Sequence, residues 1–166
     1  MDWVAERTVH AYGGELTSNM NKYLFLDIDG VLHPSTPPRD LRYIKNLAPT
    51  VARLELKVVV SSTWREAYSL TELTKLLGDL GHFVVGKTPT WNPPNGDLPA
   101  IGVRHREIEA WLVRKASLEA PWAAIDDDAE NFRPNCTRVF LKDRTVGLDA
   151  NPAILFDKWC ANLFDG

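Results

Sequence analysis

Cysteine is scarce in this 166-residue chain: Cys136 and Cys160 are too few and too far apart for a disulfide framework or a zinc knuckle. No apolar run approaches the roughly 18–20 residues needed to cross a bilayer. The opening MDWVAERTVH is charged and amphipathic, not a basic stretch leading into an apolar signal core. Charge of one sign is missing too, with 19 basic side chains against 22 acidic ones and a formal net charge of −3. That balance excludes a general nucleic-acid binder while leaving room for a local basic groove. The expected address is the cytoplasm, with no membrane association and no obligate protein partner. What is present is globular: 45% hydrophobic and 25% charged residues, over a length that suits one substantial core.

Residues 1–21 read as an accessory segment, in which Trp3, Val4 and Val9 suggest a short amphipathic helix closed by Gly13-Gly14. A single domain is expected over 22–166. Five short apolar runs read as strands: Tyr23–Leu26, Lys57–Val60, His82–Val85, Trp122–Ile125 and Arg138–Leu141. They lack polar alternation, as parallel strands covered on both faces do. Helical spacing fills the gaps: a segment from Leu41 to Leu54 interrupted or restarted at Pro49, a leucine-rich helix from Leu70 to Leu80, one over about Arg104 to Ala116, and one opened by Asn151-Pro152. Alternating strand and helix predict an α/β fold: a three-layer, Rossmann-like parallel sheet of about five strands with helices on both faces. The segments between strands are too short for a large cap domain. Ligands in such folds bind beyond the carboxyl ends of the strands.

Three chemistry-bearing groups fall at those ends. Asp27-Ile28-Asp29-Gly30 follows the first strand, and two carboxylates crowded there need a cation between them or a shared proton; Asp and Gly are also ordinary turn residues. Asp126-Asp127-Asp128 ends another strand. A hard divalent cation with oxygen ligands, Mg²⁺ above all, is the natural compensation, and a solvated acidic turn is the alternative. Ser61-Ser62-Thr63-Trp64-Arg65 offers hydroxyls, N–H groups and an arginine to an oxyanion; the blander reading is a helix cap before Leu70.

Gly81 to Thr88 spells G-x-x-x-x-G-K-[ST], the nucleoside-triphosphate loop pattern. Its context excludes that reading. The apolar residues occupy the variable positions, and Pro89 follows where a helix should open. Among the remaining candidates, His33 sits four residues past Asp29, either facing a substrate or on a surface loop. Trp64 and Trp91 serve either packing or stacking.

The DxDG pattern at Asp27–Gly30, the strand-end hydroxyl at Ser61 or Ser62, and the acidic pair Asp126-Asp127 resemble, in order and separation over roughly residues 22–150, the haloacid dehalogenase-like (HAD) phosphohydrolases. The SSTWR block, Arg104 and the helix Glu107–Leu112 look like the small HAD domains grouped with RNA-repair-type proteins. The resemblance implies a Mg²⁺-dependent phosphomonoester hydrolase with Asp27 as nucleophile and Asp29 as general acid/base. Metal ligands would be Asp27, the Asp29 carbonyl, and Asp126 or Asp127. Ser61 or Ser62 would hold phosphoryl oxygens, and a cation would come from Lys87 or Arg104. An uncapped site implies a bulky or exposed phosphorylated substrate, a small molecule or a nucleic-acid end. A non-catalytic metal- or phosphate-binding module of the same fold is the rival reading.

Overall fold

The computed structural model describes residues 20–93, 95–96 and 101–166. The expected helix near Trp3 and Val9, and with it most of the accessory segment, lies outside the described residues. Five parallel strands form one sheet in the order β3-β2-β1-β4-β5: β1 Tyr23–Leu26, β2 Lys57–Val60, β3 Val84–Lys87, β4 Trp122–Asp126 and β5 Val139–Leu141. The chain steps outward from β1 to β3, then returns to the other side of β1 for β4 and β5. The strand order therefore reverses between β1 and β4, and the crevice at their carboxyl ends is where such sheets bind ligands.

The three central strands β1, β2 and β4 have apolar middles because both of their faces are covered. Leu24, Leu26, Val58, Val60, Ala123 and Ile125 join one buried cluster. There they meet Leu47 and Val51 of α1 (Ile44–Arg53), Leu73 of α3 (Leu70–Leu76), and Phe156 and Cys160 of α5 (Ala150–Asp165). Burial of the Cys160 thiol pushes its pKa up to about 12, so it stays a protonated, inert packing group. Tyr23, Phe25, Val59, Trp122 and Ala124 point the other way, onto Ile108, Trp111 and Leu112 of α4 (Val103–Lys115). Among the described residues α4 is the one helix on that face. The three-layer α/β architecture is as expected, and among the described residues no large cap interrupts it.

The local departures have physical causes. α1 runs through Pro49 without a break. Proline removes one backbone donor, but Leu47 and Val51, one turn apart and fully buried, hold the segment against the sheet. The leucine-rich helix stops at Leu76 and tightens into a 3-10 turn over Gly78–Phe83, which delays β3 by two residues from the expected His82–Val85. Gly86 falls inside the strand, since a Cβ there would press to 3.0 Å from Trp111 Nε1. The residues spelling the nucleotide-loop pattern are thus a turn and a strand, and the next described helix begins at Val103. α3 is capped by Ser69, not by Ser61–Thr63: Ser69 Oγ accepts from Glu72 N at 3.2 Å while Glu72 Oε2 accepts from Ser69 N at 2.7 Å. Asp149, two residues ahead of Asn151, caps α5.

Candidate active site

The backbone leaves β1 through a single tight turn. Val31 N and Leu32 N both donate to Ile28 O, and the buried Ile28, Val31 and Leu32 anchor the turn in the core. Gly30 makes this possible with φ +71°, and a Cβ there would collide with the Asp127 carboxylate. The loop after β1 therefore rests directly on the loop after β4. Asp27, held by Asp27 N donating to Ile125 O at 3.1 Å, sits between them.

Asp27, Asp126 and Asp127 each present a carboxylate oxygen within 4.8 Å of the others. Asp27 is 7% exposed and Asp126 fully buried. Burial pushes the Asp27 carboxyl up to about 7, reinforced by the Asp126 charge and opposed by Arg104. Burial likewise raises Asp126, against the pull of Arg104, and raises Asp127, against Arg144, whose Nε lies 3.4 Å from Asp127 Oδ2. Asp126 Oδ1 accepts from Asp128 N at 2.9 Å and Asn131 Nδ2 at 3.1 Å, but its buried Oδ2 has no hydrogen-bond partner. Three crowded carboxylates with an orphaned oxygen suit a hard divalent cation, which supplies the missing partner and removes the repulsion.

Asp29 stands outside this trio and has partners of its own. Trp64 Nε1 donates to its Oδ2 at 2.9 Å, and His33 Nε2 lies 3.0 Å from its Oδ1, with Arg39 Nη1 at 3.9 Å. His33 is fully buried, with its Nδ1 against Pro34 O, so it is no surface-loop histidine.

Ser61 and Ser62, both buried at the end of β2, are shaped from below. The Arg65 guanidinium Nη1 donates to Ser61 O at 2.8 Å and Ser62 O at 2.9 Å. Ser62 Oγ accepts from Trp64 N at 3.4 Å, which turns that hydroxyl toward its own loop. The two candidate cations differ sharply in surroundings. Lys87 Nζ donates to the carbonyls of Arg65 at 2.8 Å and Tyr68 at 3.0 Å, closing the end of α2 (Trp64–Ala67). Arg104 Nε lies 3.9 Å from Asp126 Oδ2, and its buried Nη1 has no hydrogen-bond partner. The geometry thus brings Arg104 to the carboxylates and engages Lys87 with backbone.

One residue at the centre of this arrangement escaped the sequence reading. Glu107, 3% exposed on α4, accepts from Arg65 Nη2 at 2.8 Å and from Trp91 N at 2.9 Å, and its Oε2 lies 4.0 Å from Arg104 Nε. A single carboxylate joins α2, α4 and the loop after β3. The i, i+3 spacing of Arg104 and Glu107 was the available signal, but the Glu107 partner Arg65 lies 42 residues upstream in sequence order.

Sequence comparison answers which family builds such a site. The pattern described as "HAD domain in Swiss Army Knife RNA repair proteins" matches residues 23–153. The chain belongs to that family. Its parallel sheet is that of a phosphatase-type HAD domain, and the acidic trio at the strand-order reversal is compatible with one. No curated relative and no solved structure matches the chain. No helix among the described residues is long and apolar enough to cross a membrane.

Proposed function

We propose that this HAD domain is a Mg²⁺-dependent phosphomonoester hydrolase that works through an aspartyl-phosphate on Asp27. The observation that carries this is the contrast across one turn of backbone: a dry carboxylate, Asp27, among two others, and a partly exposed one, Asp29, held by Trp64 and beside His33. Asp27, the carbonyl of Asp29, and Asp126 or Asp127 would hold the metal. Mg²⁺ there offsets the repulsion between a phosphate dianion and these carboxylates.

In the first step an Asp27 carboxylate oxygen attacks phosphorus, the bond to the leaving oxygen breaks, and Asp29 delivers its proton to that oxygen. In the second, Asp29 takes a proton from water as the water oxygen attacks the phosphoryl group, releasing inorganic phosphate and restoring Asp27. Ser61 is the better placed hydroxyl for phosphoryl oxygens, since the Ser62 hydroxyl accepts from Trp64 N. Arg104 supplies positive charge beside the trio, a role its unpartnered Nη1 leaves it free to play. The open site favours a leaving group too large for an enclosed pocket, a nucleic-acid end among the candidates, consistent with a family named for RNA repair.

Hydrolysis of an aryl phosphate that requires Mg²⁺, stops with EDTA and vanishes in Asp27→Asn is the expected result. Mg²⁺ binding without turnover of any phosphomonoester would instead mark a non-catalytic module.

A further inference from the structure

Beside Asp29 the surface opens into a cavity of about 470 Å³, lined by Asp29, Arg39, Thr63, Trp64, Ala67 and Tyr68. It touches Asp29 and none of Asp27, Asp126 or Asp127. We propose that this cavity is a leaving-group subsite for a planar ring that carries a second anionic group. The inference rests on the hydrolase reading, because it takes Asp29 as the proton donor. The group that protonates a leaving oxygen stands at the boundary between the phosphoryl site and the rest of the substrate. The space beyond Asp29, away from the trio, is therefore where the organic part of the substrate must go.

The walls say what that part is. Trp64 and Tyr68 lie with ring centroids 5.6 Å apart and planes inclined at 39°. The indole is fixed in place by its own N–H, which is spent on Asp29 Oδ2. The half-buried ring still lines the cavity beside Tyr68. Tyr68 is 38% exposed, a large aromatic surface at the cavity rim. Arg39, whose side chain is 61% exposed, puts a guanidinium 3.9 Å from Asp29 at the other side of the cavity. That cation attracts an anion, and a carboxylate partner at that distance leaves most of its donors unspent. An aromatic platform beside an exposed guanidinium is how proteins take a base together with its neighbouring phosphodiester. Nucleotides, free or at the end of a strand, combine both features. Trp64 thereby couples recognition to chemistry, since the ring that stacks is the ring that orients the proton donor.

The test compares three sets of phosphomonoesters on the full chain with Mg²⁺: base-free ribose phosphates, adenosine 3′- and 5′-monophosphates, and dinucleotides phosphorylated at either end. Each set is read as kcat/KM. A ring gain on the order of tenfold or more over the base-free sugar is expected from stacking. Tyr68→Ala should shrink that ratio toward one. A dinucleotide should outpace a mononucleotide, with an advantage that falls with salt and is lost in Arg39→Ala. Because each outcome is a ratio within one variant, a loss of folded protein does not mimic it. Turnover of base-free and base-bearing phosphates at equal rates, or a ring preference that survives Tyr68→Ala, would overturn the subsite and leave the hydrolase intact. Equal rates for mono- and dinucleotides would remove Arg39 and the second anion from it. Failure to hydrolyse any of the three sets would overturn the hydrolase itself.

Discussion

Asp27 and Asp29 stand two residues apart on the same turn and live in opposite surroundings. Asp27 is nearly dry and shares its space with two other carboxylates. The Asp29 side chain is 34% exposed and meets an indole N–H, an imidazole and a guanidinium. Burial sets the first carboxylate, and named neighbours set the second. A group meant to attack phosphorus gains from a desolvated, charge-compensated setting, whereas a group meant to shuttle a proton needs orientation and access to water.

Substitutions at the two positions should separate along this line. The largest effect is expected for Asp27→Asn, which removes the nucleophile and a metal ligand: turnover should fall by a factor on the order of 10³ or more, measured with the aryl phosphate, while the circular dichroism spectrum stays native. Asp29→Asn should cost roughly 10²–10⁴-fold for alkyl leaving groups. With an aryl leaving group that needs no proton, it should let phosphate accumulate on Asp27, visible as a phosphoryl mass increment. Absence of that adduct in every Asp29→Asn experiment would argue against the covalent step. Trp64→Phe keeps an aromatic ring but loses the N–H together with the five-membered ring that carries it. A hydrogen bond to a charged group is worth about 1.5–3 kcal/mol, so a drop of roughly tenfold in kcat for alkyl phosphates and a smaller one for aryl phosphates is expected.

The smallest effect is in stability. A carboxyl raised from its usual 3.8 to about 7 in the folded chain makes the native state bind more protons than the unfolded one. Its contribution is therefore fully present below about pH 4 and lost as pH rises through about 7. The wild-type melting temperature minus that of Asp27→Asn should fall over this window in EDTA. Mg²⁺ should raise the wild-type midpoint more at pH 7.5 than at pH 5.5, because binding needs ionised carboxylates. Asp126→Asn combined with Asp127→Asn should abolish the Mg²⁺ response and raise the metal-free midpoint.

Much of the sheet was legible because its central strands are buried on both sides and so carry apolar runs: Tyr23–Leu26 and Lys57–Val60 have the expected bounds. β3 was misplaced because the sequence shows His82 to Val85 as apolar without showing the Trp111 indole that fits only over Gly86. α1 passes Pro49 for the same kind of reason, a tertiary contact outweighing a local preference. Strand-end carboxylates and hydroxyls were visible as chemistry at an abrupt end of an apolar run. Glu107 and the Trp64 N–H were not, because each gains its meaning from a partner brought close by folding.

Among the described residues α4 is the one helix on its face of the sheet, and it also delivers Arg104 and Glu107 to the carboxylates. Its apolar side and its charged side are both buried, so a substitution on either alters the core and the chemistry together. That couples two selective pressures in a single helix and leaves it little freedom to drift. Arg39 and Tyr68, exposed at the cavity beside Asp29, carry no such double duty. New substrate preferences in this lineage are therefore expected to arise there, while α4 changes slowly.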